Sequence, residues 1–159
     1  MTGTEPWLQN GWIEQSQRML DSYHCLLGHQ LIERVGTDAE QAASLYNAPF
    51  VVVSHGTQVD PLLNYANAVA LDLWKLSIPK LLDTPSRMTA ETVHRDERAK
   101  LLARTTRDGY VDDYRGIRIA TDGQRFLIDR ATVWNVADPQ GVYVGQAATF
   151  KNWTNLEAS

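Results

Sequence analysis

The apolar residues of the first part of the chain repeat at helical spacing. Large side chains recur every three or four positions, which is typical of one face of an amphipathic helix. The repeating positions are Leu8, Trp12, Met19, Tyr23, Leu27 and Leu31. The pattern predicts one long helix over residues 7–35, ended by Gly36 as a C-cap. Thr37 then caps a short helical segment that extends through Leu45.

Runs of β-branched and aromatic residues predict five strands. They lie near residues 50–54, 62–66, 110–120, 124–136 and 142–150. Turn residues, above all Asp122-Gly123, predict hairpins between neighbouring strands. Asn67 starts a helical region that reaches Arg107, with an irregular stretch over residues 77–91. In its last helix, small and apolar residues are predicted to face inward, at Ala99, Leu102 and Ala103.

This order of elements predicts an α+β fold. A five-stranded antiparallel sheet, with the helices of residues 67–107 over one face and a long N-terminal helix before it, satisfies the order. That is the arrangement of a PAS-like domain. The predicted division is an N-terminal helical extension over residues 1–48, a PAS-like domain over 49–153 and a tail over 154–159.

Composition narrows the class of protein. The chain has 159 residues, of which 43% are hydrophobic and 21% charged, and this is ordinary for one globular domain. The formal charge of −4 disfavours binding to nucleic acid or to an anionic membrane. Cys25 is the single cysteine, and no apolar run approaches the length of a membrane span. With no signal-like start, the sequence predicts a cytoplasmic protein outside the membrane.

Several short motifs make the chain similar to a known family. They are Ser54-His55-Gly56-Thr57, Asn64-Tyr65-Ala66-Asn67, Pro85-Ser86-Arg87, residues 112–118, residues 131–135 and Gly145-Gln146-Ala147-Ala148. Together they resemble the small bacterial MEKHLA-domain proteins, a PAS-related family, over roughly residues 20–150. The Met-Glu-Lys-His-Leu-Ala string of the plant form is absent, as are its homeodomain and leucine zipper. The resemblance implies a PAS-like sensor fold with no assigned chemistry and no known signal.

The resemblance also indicates where a ligand would lie. PAS-like domains usually hold ligands between the inner face of the sheet and the inserted helices. Aromatic side chains there would line a pocket, a few polar groups would orient the ligand, and arginines would bind a carboxylate or phosphate. The predicted ligand-binding residues are Ser54, His55, Asn64, Trp74, Arg87, Arg115, Arg130, Trp134 and Gln146. Arg118 is a further source of a guanidinium, and Phe50 a further aromatic residue.

Each of these assignments has a structural alternative. The arginines would equally pair across strands with Asp112, Asp113 or Asp129, and the aromatic residues would pack in the core. Strict alternation in the fourth strand places Arg130 and Trp134 on one face, together with Phe126, Ile128 and Thr132. The opposite face carries Leu127, Asp129, Ala131 and Val133. Both faces carry a charge, so alternation leaves the inner face undecided.

Catalytic and cofactor motifs are weak in this sequence. His24 and His29 are five residues apart on the first helix, which disfavours a shared metal or haem. Cys25 precedes the first strand, so it cannot form the cysteinyl adduct of a flavin photosensor. Neighbouring Asp112 and Asp113 point to opposite faces and cannot act as a pair. With no nucleophile or nucleotide-binding motif, the sequence predicts a non-enzymatic domain whose cofactor is unknown.

The apolar stripe of the first helix suggests a partner surface. If one sheet cannot cover Leu8, Trp12, Met19 and Tyr23, a symmetric homodimer would bury them. We therefore predict a PAS-like sensory or small-molecule-binding domain that is dimeric through this helix and signals to a separate protein. The alternatives are a cone-shaped enzyme or carrier of the NTF2-like type and a ligand-free protein-interaction module. For the stripe itself, the alternative is packing across the sheet of its own domain.

Overall fold

The computed structural model describes residues 5–91 and 94–157. Its helices are α1 (Trp12–Leu27), α2 (Asp38–Tyr46), α3 (Ala68–Trp74), α4 (Ile78–Leu82) and α5 (Arg95–Asp108), with short 3-10 turns at Pro6–Leu8 and Ser86–Thr89. Its strands are β1 (Val51–His55), β2 (Leu63–Ala66), β3 (Tyr110–Ile119), β4 (Arg125–Ala137), β5 (Tyr143–Phe150) and β6 (Asn152–Asn155). Residues 158 and 159 of the predicted tail lie outside the described residues.

The five predicted strands form one antiparallel sheet. Their spatial order is β2-β1-β5-β4-β3, and α3, α4 and α5 are inserted between β2 and β3. The predicted α+β class and sheet are therefore confirmed. The sequence analysis missed β6, which crosses the predicted domain end at residue 153. β5 pairs with β4 only over residues 132–137, and β6 uses the free edge of β4 over residues 126–129.

Helices cover both faces of the sheet. α1 packs on one face, where the indole Nε1 of Trp134 donates a hydrogen bond to the carbonyl of Met19 at 3.2 Å. The inserted helices cover the opposite face, where Trp74 at the end of α3 packs edge-on against Phe126 at a ring-centroid distance of 5.3 Å. We call the face towards α3 and α5 the inner face. Any site between the sheet and the inserted helices is thus separated from α1 by the sheet.

The first helix is shorter than predicted. Asn10 and Gly11 have φ values of 60° and 71°, so the chain bends immediately before α1 begins. At the other end Gly28, with a φ of 83°, caps α1 by donating its N–H to the carbonyl of His24 at 2.9 Å. The predicted helix over residues 7–35 is therefore wrong at both ends, because glycines inside the apolar repeat break it. The predicted cap at Thr37 is confirmed by the capping box of α2.

The apolar stripe of α1 is buried within its own chain. Trp12, Met19 and Tyr23 are 1%, 0% and 6% exposed, whereas Leu8 is 50% exposed. The sheet and α2 thus cover the residues for which a dimer partner was expected. This packing removes the reason to place a homodimer interface at the stripe, and the oligomeric state itself stays a prediction.

Asn67 holds the first strand, the inserted helices and α2 together. It is fully buried, and its side-chain oxygen accepts hydrogen bonds from the backbone N–H groups of Val52 and Ala70, at 3.0 and 3.2 Å. Its amide group donates to the carbonyls of Leu45 and Phe50, at 3.2 and 2.8 Å. The expected helix cap at Asn67 is therefore confirmed, and the same side chain also ties β1 to α2.

Replacing Asn67 by alanine is expected to lower the free energy of unfolding by about 2–4 kcal/mol, because several buried backbone groups lose their partner together. Urea denaturation followed by circular dichroism measures the loss. Ser77→Ala is the matched control, since Ser77 caps the exposed start of α4 with a single hydrogen bond to Lys80. That variant should lose about 1 kcal/mol or less. Equal losses in the two variants would show that Asn67 acts as a helix cap alone.

Candidate functional site

A cavity lies between the inner face of the sheet and the inserted helices. Its volume is about 70 Å³. Much of its wall is apolar, with Val53, Leu63, Trp74, Leu101, Leu102, Ile128, Ala131, Val133, Ala148 and Phe150 among the lining residues. Its polar lining residues are Ser54, His55, Ser86, Thr89, Arg98, Tyr114, Arg118 and Gln146. The cavity is thus apolar over much of its wall and carries two arginines.

Arg98 and Arg118 bring two guanidinium groups to this cavity. They come from α5 and β3 and are only 8% and 7% exposed. Arg98 donates a short hydrogen bond to the Ser86 hydroxyl through Nη2. Arg118 donates to the Tyr114 hydroxyl at 2.7 Å and to the carbonyl of Ile117 at 3.1 Å, both through Nη1. Hydroxyl and carbonyl oxygens therefore position both side chains.

Neither guanidinium has a carboxylate partner among the described residues. The ion pairs of residues 5–91 and 94–157 include neither Arg98 nor Arg118. Desolvation, with a smaller effect of the nearby charge of Arg118, lowers the pKa of Arg98 to about 10, although Tyr114 and Asp60 act in the opposite direction. Arg98 is still charged at neutral pH. The cavity therefore holds two buried positive charges without a neutralising group.

An extra residue in β4 decides which of its side chains face the cavity. Ile128 pairs with Gly116 on β3, whereas Ala131 pairs with Tyr114, so β4 has one more residue than β3 between these pairs. Arg130 lies at this bulge with a φ of 54°. The bulge reverses the alternation of side chains, because Ile128 before it and Ala131 after it both line the cavity. Strict alternation, which put these two residues on opposite faces, is wrong here.

β3 contains a compensating irregularity that turns Tyr114 and Arg118 inward. Val111 pairs with Val133, and Tyr114 pairs with Ala131, so the extra residue now lies on β3. Gly116 leaves the space that Tyr114 occupies, since a Cβ at this position would overlap the Tyr114 ring and hydroxyl. The glycine thus lets the phenol lie back along its own strand and meet Arg118.

A row of three polar side chains crosses the sheet beside the cavity. His55, Gln146 and Asn135 are paired across β1, β5 and β4. The Gln146 amide donates to the side-chain oxygen of Asn135 at 3.0 Å and to the carbonyl of Leu102 on α5 at 3.1 Å. It also lies 3.0 Å from the Thr106 hydroxyl. These contacts fasten α5 to the centre of the sheet and form one polar end of the cavity.

Two residues of the cavity wall each have a buried side-chain nitrogen without a hydrogen-bond partner of good geometry. These nitrogens are Nε2 of His55 and Nε1 of Trp74. The other ring nitrogen of His55 lies 3.0 Å from the Gly56 carbonyl, to which it donates as the neutral Nδ1–H tautomer. Ser16, Arg18 and Tyr65 also have such an atom among the described residues, away from the cavity, and Gln146 contributes a side-chain contact to His55.

Burial of His55 should make the protein less stable in mild acid. Desolvation lowers the pKa of His55, and the charge of Arg98 adds to the effect, against the opposing Gly56 and Gln146 contacts. Below the ordinary histidine pKa of about 6.5, the unfolded chain therefore takes up a proton that the folded protein excludes. The free energy of unfolding falls as the pH decreases from that value towards the lowered pKa. Between about pH 7.5 and pH 5.5, the melting temperature should fall more in the wild-type protein than in His55→Gln. Parallel plots of melting temperature against pH for the two proteins would contradict this prediction.

The structure divides the predicted site residues into two groups. His55, Trp74 and Gln146 line the cavity, and their role in binding a ligand stays a prediction. Ser54 also borders it, but its hydroxyl lies among α1 and β2 side chains. That hydroxyl accepts from Gln15 at 3.1 Å and contacts the Asn64 side-chain oxygen at 2.5 Å.

The remaining predicted residues lie away from the cavity. Asn64 and Trp134 pack beneath α1, because their hydrogen bonds go to Trp12, Ser54 and Met19. The three other arginines are on the surface. Arg87 pairs with Asp60 at 3.1 Å, Arg115 lies 3.7 Å from Asp129, and Arg130 is exposed at the bulge. For Arg115, the cross-strand pairing given as the structural alternative is the arrangement observed.

The sequence analysis missed Arg98, the second cavity arginine. It predicted that Ala99, Leu102 and Ala103 face inward on α5. Leu102 does line the cavity, but Ala99 and Ala103 are exposed, and the buried residues of this helix are Arg98, Leu101 and Thr105. Apolar periodicity cannot detect an inward guanidinium on a helix with several charged residues. The Pro85-Ser86-Arg87 motif carried a usable signal in Ser86, which holds Arg98.

The cysteine, the possible metal ligands and the helices of the described residues bear on whether the chain could bind a flavin adduct, a metal ion or a membrane. Cys25 is exposed on α1, so the sheet separates its thiol from the cavity. Residues 5–91 and 94–157 contain no group of three or more His, Cys, Asp or Glu side chains placed to hold a metal ion. None of the helices in the described part of the chain combines the length and apolar character needed to cross a membrane.

Solved structures with the same fold belong to PAS and light-oxygen-voltage domains. The PAS domain of a protein from Colwellia psychrerythraea matches with a TM-score of 0.61 at 12% identity, covering 74% of this chain and 94% of that chain. A structure described in a study of a flavin analogue in a light-oxygen-voltage domain matches with a TM-score of 0.57 at 14% identity, covering 74% and 85%. The Ile74Val variant of Vivid gives a TM-score of 0.52 at 16% identity, covering 81% and 90%. At such low identity these matches show the fold alone.

Sequence comparison identifies the family. A search of the curated proteins finds no match. The family model described as the MEKHLA domain matches residues 13–155, which include all of α1 but its first residue and reach the end of β6. The NTF2-like alternative is therefore wrong for the fold, and the chain belongs to the MEKHLA domain family, with a PAS-like structure.

Proposed function

We propose that this protein is a sensory domain that binds a small molecule between its sheet and its inserted helices. The observation that supports this most strongly is the cavity itself, where Arg98, Arg118, His55 and Trp74 carry unpaired charges or unpartnered polar atoms. Such groups are not expected in a solidly packed interaction module, because each unpaired buried charge or polar atom lowers the stability of the fold. No catalytic constellation accompanies the cavity in the described residues, so we propose binding without chemistry.

A flavin does not fit this cavity. Its volume of about 70 Å³ is far below the roughly 300–1,000 Å³ of pockets that enclose drug-sized ligands. Likeness to a light-oxygen-voltage domain thus extends to the fold and not to the chromophore. The proposed ligand is a molecule of only a few non-hydrogen atoms.

Signal transfer would use α5 and the polar row that holds it. The Gln146 amide connects β5 with α5 at Leu102 and Thr106, and Arg98 on the same helix faces the cavity. A ligand that contacts Arg98 would therefore bias the position of α5 against the sheet. We propose that a separate protein partner responds to this change at the exposed side of α5.

Ligand retention during purification tests the proposed function. Native mass spectra of the protein, purified quickly and without carboxylate buffers, are compared with spectra taken under denaturing conditions. We expect an added mass that is present only in the native spectrum. The protein is then dialysed exhaustively, and we expect its melting temperature to decrease because the bound ligand is removed. Identical masses together with an unchanged melting temperature would favour the ligand-free interaction module.

A further inference from the structure

We propose that the cavity recognises a short-chain carboxylate, whose charged end is bound between Arg98 and Arg118. This inference rests on the proposed function and names the class of its ligand. It follows from the charge of the cavity, from the hydrogen-bond donors that the two arginines leave unused, and from the apolar residues that form much of the wall.

The first argument is charge. Burying one unpaired charge is costly, and two like charges that face one small cavity also repel each other. Arg98 and Arg118 are both more than nine-tenths buried, and neither has an ion-pair partner within the described residues. Among the acidic residues that the structure describes, Asp60 is the one whose charge acts on Arg98, but it is paired with Arg87 at the surface. An anion from outside the chain is therefore the group that balances this cavity.

The second argument is the supply of hydrogen-bond donors. A guanidinium offers five N–H groups in a planar fork. Arg98 donates to Ser86 through Nη2 alone, and Arg118 donates to Tyr114 and Ile117 through Nη1 alone. Within residues 5–91 and 94–157, each arginine thus keeps Nε and one Nη without a protein acceptor. Two oxygens of a carboxylate match this pattern, because guanidinium and carboxylate form paired, parallel hydrogen bonds.

The third argument is the rest of the wall. Apart from the polar residues, the lining is aliphatic and aromatic, and it includes Leu63, Ile128 and Phe150. An inorganic oxyanion such as phosphate would leave this surface without a complementary group. A carboxylate with a short alkyl chain places its oxygens on the guanidiniums and its carbons on the apolar wall. The cavity of about 70 Å³ is small, so the proposed chain is short, and propionate is a suitable probe.

The experiment compares three probes on the dialysed wild-type protein. Sodium propionate, its uncharged amide propionamide, and sodium phosphate are titrated at equal ionic strength, in a buffer free of other carboxylates. Binding is followed by backbone amide NMR shifts and by melting temperature. We expect propionate to bind with shifts at residues around the cavity and to raise the melting temperature. Propionamide and phosphate should bind at least about tenfold more weakly.

Matched arginine variants locate the binding site. Arg118→Gln and Arg98→Gln are expected to weaken propionate binding at least about tenfold. Arg115→Gln is the control, because Arg115 lies three residues before Arg118 on the same strand but is exposed beside Asp129. That variant should bind as the wild type does. If a cavity variant fails to fold, the comparison of propionate with propionamide on wild type still decides the question.

The outcomes separate this inference from the proposed function. Equal binding of propionamide and propionate, or tighter binding of phosphate, would overturn the carboxylate and leave a small-molecule sensor. Propionate binding that survives both cavity variants would place it outside the cavity and overturn the inference. If no probe binds and the native mass spectra show no added mass, both the ligand class and the proposed function fail.

Discussion

Replacing Trp12 and Met19 together by glutamate is expected to unfold the protein. Both side chains are almost completely buried, and the Trp12 indole also donates to the Asn64 carbonyl at 2.9 Å. Each substitution removes about 1.5–3 kcal/mol of apolar burial and adds a buried charge that costs several kcal/mol more. Together these losses are comparable to the whole free energy of unfolding of a domain, which is roughly 5–15 kcal/mol. Circular dichroism at 25 °C should show an unfolded chain.

Leu8→Glu is the control for this double substitution. Leu8 belongs to the same apolar repeat but is 50% exposed, so its replacement should change stability by about 0.5 kcal/mol or less. A double variant that is folded and monomeric, compared with a dimeric wild type in sedimentation, would contradict the packing of α1 on its own sheet. That result would restore the homodimer through the first helix that the sequence suggested.

Gly145→Ala is expected to lower the free energy of unfolding by at least about 3 kcal/mol. Gly145 has a φ of 148° at the start of β5, and a Cβ there would overlap the carbonyl oxygen of His55 on β1. The neighbouring strand cannot move away without losing the pairing of His55 with Gln146. Both the strained backbone and the clash therefore oppose the substitution. Chemical denaturation measures the loss.

Gly141→Ala separates these two contributions. Gly141 also has a positive φ, 82°, but no atom lies within 4 Å of its added Cβ. Its variant should lose only about 1 kcal/mol through backbone strain. If Gly145→Ala costs no more than this control, the close approach of β1 and β5 beside the cavity is not as tight as the structure shows.

Local signals in the sequence predicted most of the fold. The strands were found within a residue or so of their observed bounds because turn residues separate them, and Asn67 marked the start of the inserted helices. Tertiary contacts set the features that were missed. β6 is a four-residue strand that forms because an edge of β4 is free, and this cannot be read from its own residues.

The site was harder to predict than the fold. One extra residue in each of β3 and β4 changes which side chains face inward, and no local pattern marks such a bulge. Trp134 was therefore predicted to line a pocket, although it lies under α1. Arg98 was overlooked because a charged residue on a charged helix indicates exposure by default. Both errors concern the choice of a face, and packing partners far away in sequence make that choice.

The electron density between Arg98 and Arg118, in crystals of the wild-type protein grown with propionate, tests the proposed cavity most directly. We expect density for one molecule with two oxygens within about 3 Å of the guanidinium groups and its carbons against the apolar wall. Side chains that close the space, or water alone between the arginines, would contradict the proposal that this MEKHLA domain senses a small carboxylate.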